Sequence, residues 1–170
     1  MAKAKSVKSD KFPINSVTPP TTHVVHSLAE LNLHAAALSR LLQGGEIIGL
    51  KGPLGAGKTE FARALIRELV PGCEVSSPSF TIENIYDVKN RTFSTINHLD
   101  LYRLPEASTF PELDEYSSNT ACVSIIEWPE RISGVEDLLS LELSIAFHES
   151  GNSDWRLFTY AGPKITRSLR

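Results

Sequence analysis

From residue 28 to residue 42, Leu28, Leu31, Ala35, Leu38 and Leu42 recur at the spacing of a helix with one apolar face. In front of them, Ser27-Leu28-Ala29-Glu30 has the form of a capping box, in which a hydroxyl and a carboxylate satisfy free amides at a helix start. Gly44-Gly45 predicts the end of that helix. Glu46 to Lys51 is a short apolar run suited to a strand, and a glycine-rich loop follows it at once. Thr59 to Leu69 then reads as a helix with Phe61, Leu65, Ile66 and Leu69 inward, ended by Pro71-Gly72. Phe80, Ile82, Asn84 and Tyr86 alternate as in a strand, Lys89-Asn90-Arg91 predicts a turn, and Phe93 to Leu99 predicts the returning strand of a hairpin. Pro105 to Ser118 is polar and predicts a loop with a short helix. Ala121 to Ile126 is an apolar run of the kind buried on both faces of a sheet. Thr22 to His26, Leu141 to Phe147 and Trp155 to Tyr160 complete the strands, the last two joined through Gly151-Asn152. The pattern predicts an α/β fold with a mixed sheet, parallel at the glycine loop and antiparallel at its additions.

Composition adds limits. The chain has 170 residues, 41% of them hydrophobic and 22% charged, enough for one core and one domain. A formal net charge of -3 gives no reason for tight nucleic-acid binding by this chain alone, so any such contact is expected to be local or through a partner. Cys73 and Cys122 lack metal-ligand spacing and read as reduced thiols, which suits a cytoplasmic protein. No apolar run approaches the roughly 20 residues needed to cross a bilayer. The first 22 residues carry four lysines, without the apolar stretch of a secretory signal or the arginines of a transit peptide. Residues 1–21 read as a flexible tail with Pro19-Pro20 as its boundary, 22–162 as the domain, and 163–170 as a C-terminal tail.

Candidate chemistry begins at Gly52-Pro53-Leu54-Gly55-Ala56-Gly57-Lys58-Thr59, which meets the pattern G-x-x-x-x-G-K-[ST] in full. Glycines let backbone amides turn inward as an anion nest, and the following helix adds its positive end. Lys58 is suited to the β- and γ-phosphates and the Thr59 hydroxyl to Mg²⁺. The strand–loop–helix context makes the expected architecture a P-loop NTPase-like one. Such a site also needs a carboxylate from a neighbouring strand end, and Asp100 and Glu127 each follow a predicted strand. His98, two residues before Asp100, reads as packing or hydrogen-bonding at the strand end.

Four motifs in order carry a resemblance. They are the loop at 52–59, Ser77-Pro78-Ser79-Phe80, His98-Leu99-Asp100-Leu101-Tyr102-Arg103, and Glu127-Trp128-Pro129. Together they resemble the TsaE (YjeE) family over roughly residues 24–160. The resemblance implies an ATPase using ATP and Mg²⁺. It also implies assistance to TsaB and TsaD, the pair that transfers threonylcarbamoyl to adenosine 37 of tRNA, with tRNA met only through that complex and no membrane involved. Carried onto this chain, Lys58, Asp100 and Glu127 would be catalytic, and Thr59, Asp100 and Glu127 would serve the metal. Which acid touches the metal and which orients water is open at this level. Gly52, Leu54, Gly55, Ala56, Gly57, Lys58, Thr59, Glu60, Ser79, Trp128 and Arg131 would contact the nucleotide, with Ser77 to Phe80 as a switch-like segment facing the γ-phosphate.

The chain departs from that family at Pro53, where Asp is usual, at Ser79, where Thr is usual, and at Pro105 and Pro111, in place of an acidic helix. Two other readings share the glycine loop. A small P-loop kinase usually needs an arginine-rich lid, and Pro105 to Thr120 contains no Arg or Lys. A nucleotide-gated assembly factor would bind without significant turnover.

Overall fold

A computed structural model describes residues 20–162. The tails assigned from sequence lie outside the described residues, apart from residues 20 and 21. The elements are β1 (Thr21–Val25), α1 (Leu28–Ser39), β2 (Ile47–Lys51), α2 (Lys58–Leu69), β3 (Glu83–Asp87), β4 (Thr95–Asp100), α3 (Glu112–Ser118), β5 (Cys122–Glu127), β6 (Leu141–Phe147) and β7 (Arg156–Ala161). They form one seven-stranded sheet in the order β1-β7-β6-β2-β5-β4-β3. The four middle strands, β6, β2, β5 and β4, are parallel. The hairpin partner β3 and the pair β7 and β1 join antiparallel at the two sides. The mixed α/β sheet expected from the apolar pattern is therefore the fold observed.

The central parallel strands β2 and β5 are buried on both faces, which is why they read as continuous apolar runs; every residue of β5 is buried. Alternate side chains feed two cores. Ile48 and Leu50 of β2 and Val123 and Ile125 of β5 meet Leu38 of α1 and Phe61, Leu65 and Ile66 of α2. Phe61 packs edge-on against Phe158 of β7, with ring centroids 5.7 Å apart. Ile47 and Ile126 point the other way, into a smaller cluster with Leu99, Leu101, Leu113 of α3, Ile132, Val135 and Leu139. Gly49 lies against that second core, where a Cβ would stand 2.9 Å from Leu139 Cδ1 and 3.1 Å from Pro129 Cγ.

Some local details differ from the sequence pattern. Helix α1 ends at Ser39, although Leu42 beyond it is buried as its spacing implied. The Ser27 hydroxyl accepts the Glu30 amide, while the Glu30 carboxylate accepts from the amide of His26, one residue earlier than a capping box requires. The strand read from Phe80 begins only at Glu83. Phe80 and Thr81 lie in a turn, and Ile82 has φ 69°, a left-handed value outside any strand. The stretch from Pro105 to Ser118, by contrast, is the loop with a short helix that its polar pattern predicts, with Glu112, Asp114 and Glu115 in the first turn of α3.

This topology brings three parallel strand ends together. Strand β2 runs into the glycine loop, β4 ends on Asp100 and β5 ends on Glu127. Asp100 and Glu127 are register partners, and Glu127 is also the register partner of Leu50. Ligands in open α/β sheets collect at such carboxyl ends.

Candidate functional site

The glycine loop leaves β2 at Gly52, whose φ is 140°. A Cβ there would sit 2.1 Å from the carbonyl oxygen of Ile145, so only glycine lets the loop pass this close to β6. At Gly57, with φ 110°, none of the described residues lies within 4 Å of where a Cβ would project. Gly57 is the N-cap of α2, and no side chain caps the helix. The first-turn amides of α2 thus lack a capping acceptor, as suits an anion site at a helix start.

Lys58 turns back over the loop. Its ammonium donates to the carbonyls of Gly52 at 2.7 Å and Pro53 at 2.9 Å. It also lies 3.6 Å from the centroid of the Trp128 ring. An ammonium has three N–H donors, so two carbonyls fix its direction and leave one for a ligand. Burial lowers its pKa from the ordinary lysine value, against the opposing fields of Glu127, Glu130 and Asp100. Pro53 has no amide to offer the loop, but its carbonyl serves both Lys58 and the amide of Ala56.

The acids are held by hydrogen-bond donors. Thr59 Oγ1 donates to Glu127 Oε2 at 2.7 Å, and the second oxygen of Glu127 is 2.9 Å from His98 Nε2. Ser79 Oγ donates to Asp100 Oδ2, and the Tyr102 amide donates to Asp100 Oδ1 at 3.1 Å. Ser77 and Ser79 hydroxyls are 2.9 Å apart, so the segment before β3 is tied to the end of β4. Two carboxylates side by side on neighbouring strands repel, and Lys58 with these donors offsets the repulsion.

Trp128 follows Glu127 in a left-handed conformation, φ 60° and ψ 48°, which few bulky residues adopt. This turns its ring back beneath Lys58, 5.0 Å from the Tyr102 ring. Leu54, Gly55, Gly57, Lys58, Thr59, Ser79, Asp100, Tyr102, Glu127 and Trp128 line a cavity of about 250 Å³. A second cavity of about 650 Å³ adjoins the loop through Ala56, Gly57 and Glu60, walled by Val25, Leu28, Leu31, Asp154 and Arg156.

Most sequence-selected residues therefore meet at one place. Glu60 lies on the second cavity, with its carboxylate 3.5 Å from Arg63. Arg131 does not join either cavity. It lies 3.5 Å from Glu106 in a separate groove on the far side of Trp128, because the 3-10 turn Pro129–Arg131 carries the chain away from the loop. Sequence reasoning missed Tyr102 as a cavity wall, although it stands within the motif that contains Asp100. It also missed Arg156, whose Nε donates to the Ala56 carbonyl at 2.9 Å. No local signal marks Arg156, since 100 residues separate the two.

A lysine–threonine pair opening a helix after a glycine loop, beside parallel strands that end in acids, defines a P-loop-like nucleotide-binding fold. Residues 25–156 match the family described as Threonylcarbamoyl adenosine biosynthesis protein TsaE, and the chain belongs to that family. It is 35% identical over 112 residues to the tRNA threonylcarbamoyladenosine biosynthesis protein TsaE of Aquifex aeolicus, covering 64% of this chain and 77% of that one. The protein of the same name from Treponema pallidum is 32% identical over 119 residues, covering 69% and 84%. In fold, the crystal structure of Bacillus subtilis YdiB superposes with a TM-score of 0.61 at 22% identity, covering 87% of this chain and 88% of that one. Among the described residues, no helix is long and apolar enough to cross a membrane.

Proposed function

We propose that this chain is a Mg²⁺-dependent ATPase that supports formation of N6-threonylcarbamoyladenosine at position 37 of tRNA by assisting a TsaB–TsaD transferase pair. The observation that carries the reading is the convergence of Lys58, Thr59, Ser79, Asp100 and Glu127 on one cavity at the glycine loop. Family membership directs it to this pathway.

The donors present suit Mg²⁺. They are hydroxyl and carboxylate oxygens, and no group of three His, Cys, Asp or Glu side chains able to hold a metal occurs among the described residues. Mg²⁺ is commonly held by one or two carboxylates together with substrate phosphates, which fits this sparse set. When bound, it would neutralise charge on the β- and γ-phosphate oxygens. Thr59 and Glu127, already joined, would hold the metal side. Asp100, tied to Ser79, would orient the attacking water. Lys58 would carry the phosphates, and the adjoining 650 Å³ cavity has the size and apolar wall for the nucleoside.

What surrounds the cavity supports the reading of a partner. Leu54 is 70% exposed and Phe80 86%, at or beside its rim. Large apolar side chains left exposed around a site favour a covering protein. Among the described residues no arginine lines the cavity, so a group brought by a partner would be expected to stabilise transferring charge, and hydrolysis by the isolated chain would be weak. The same features would also suit a nucleotide-gated assembly factor.

Reconstituted tRNA modification separates these readings. With TsaB, TsaD and ATP, modification should depend on this chain and fail when a non-hydrolysable analogue replaces ATP. Full multiple-turnover modification with the analogue would instead favour the gating role.

A further inference from the structure

His98 is a wholly buried side chain that the roles above leave unused. It lies on β4, where its register partner is Ile125, two residues before Glu127 on β5. Its side chain is on the same face of the sheet as those of Glu127 and Asp100, because positions two apart in a strand share a face. From there Nε2 reaches diagonally to Glu127 Oε1 at 2.9 Å. A carboxylate oxygen only accepts, so the shared hydrogen belongs to Nε2. The other ring nitrogen, Nδ1, is buried and has no hydrogen-bond partner among the described residues.

That arrangement is costly if it serves stability alone. An apolar residue in its place would spare the orphaned Nδ1 but leave a buried oxygen of Glu127 without its donor, so whatever His98 contributes it contributes through Glu127. What His98 supplies is direction. Thr59 fixes one oxygen of Glu127 and His98 fixes the other, so the carboxylate cannot rotate about its last bond. When Thr59 turns its hydroxyl to another partner, the hydrogen bond to His98 is the one that remains to hold Glu127.

We infer that His98 is a positioning residue: it orients the Glu127 carboxylate toward the metal side of the phosphate site. This rests on the reading of Glu127 as the metal-side acid. His98 touches neither nucleotide nor metal in this scheme; it acts through Glu127. Partners of this kind behind a ligating carboxylate typically change metal affinity or activity by ~10–100-fold when removed.

The test compares His98→Leu, which fills the space without a donor, with His98→Gln, whose amide nitrogen replaces Nε2–H. Two quantities are read in the full chain. One is the Mg²⁺ dependence of nucleotide binding, by calorimetry with ADP at a series of Mg²⁺ concentrations. The other is kcat and KM for ATP with TsaB and TsaD present. His98→Leu should shift the Mg²⁺ midpoint upward and lower kcat by ~10–100-fold, leaving KM and metal-free ADP binding near the parent's. His98→Gln should recover most of both. A folded His98→Leu protein with the parent's Mg²⁺ midpoint and kcat overturns the inference. So does equal loss in both variants that tracks their melting temperatures, since that is a packing effect. If the parent binds Mg-ADP but hydrolyses nothing, the ATPase reading fails while the Mg²⁺ midpoint still decides the role of His98.

Discussion

Replacing Glu127 separates the stability of the site from its chemistry. The residue is 1% exposed, and its two oxygens accept from Thr59 at 2.7 Å and His98 at 2.9 Å. Glu127→Ala leaves both donors without their acceptor, at about 1–3 kcal/mol for each one left buried. Removal of a charge beside Asp100 offsets part of this. Two carboxylates on paired strands, at the usual strand spacing of about 5 Å, would repel by roughly 3 kcal/mol at an effective dielectric of ~20, before the compensation that Lys58 provides. The net loss expected for Glu127→Ala is about 2–4 kcal/mol, a fall of roughly 4–16 °C in melting temperature for a domain of this size. Glu127→Gln keeps both contacts, accepting from His98 with its oxygen and donating to Thr59 with its nitrogen. It loses charge assistance and the repulsion together, so its stability should stay within about 1 kcal/mol of the parent. Thermal unfolding with and without Mg-ADP reads both effects. At ~100 times its dissociation constant a ligand adds about 2.7 kcal/mol to the parent, and neither variant should show the Mg²⁺-dependent part of that gain. A Glu127→Gln protein that retained the full Mg-ADP shift would refute the metal-side role. An alanine variant as stable as the glutamine variant would refute the hydrogen-bond accounting.

Lys58→Ala should abolish nucleotide binding and, with it, a change in Trp128 fluorescence that the parent shows on adding ADP, because the ammonium lies against that ring; an unchanged parent signal despite calorimetrically proven binding would count against Trp128 as a wall of the site. Gly49→Val should destabilise by about 1–3 kcal/mol in urea unfolding through overpacking, since its Cβ already meets Leu139 and Pro129; an unaltered midpoint would mean that the second core yields. His34 should give stability an acid limb. Burial, then the neighbouring His23, lowers its pKa in the fold from the ordinary 6.5, against a smaller opposing effect of Glu30. The unfolded chain therefore takes up the proton first. The contribution is complete above pH 6.5 and is lost as pH falls through the folded value. The difference in urea midpoint between pH 7.5 and pH 5 should shrink in His34→Gln, and an identical difference would remove His34 as a cause.

The legible parts of this molecule are those where local pattern and tertiary demand agree. The glycine loop reads directly, because its geometry depends on glycines at fixed spacing and a helix immediately after. Buried parallel strands such as β5 read as apolar runs for the same reason that they need cover on both faces. Phe80 and Ile82 mislead because alternation alone does not make a strand. Pro78 accepts the amides of Thr81 and Ile82 in a turn, which leaves Phe80 exposed, with the Arg103 guanidinium 4.6 Å from its ring centroid. Asp100 and Glu127 could be picked out as strand-end acids, but their adjacency depends on β4 pairing with β5 in one register. That pairing also creates the His98–Glu127 contact, which spans 29 residues and has no local signature. Arg131 lies off the cavity for a related reason. Its position depends on the left-handed turn at Trp128, and a tryptophan gives no warning of one.

In the proposed reading, the loop and its two acids form a hydrolytic site that a partner completes. Phosphate release from ATP by the purified chain, measured alone and then with TsaB and TsaD, tests it most directly. Release should be slow alone, rise clearly with the pair present, and lose that rise in Glu127→Gln. A rate that stays the same with an active TsaB–TsaD pair would contradict that reading.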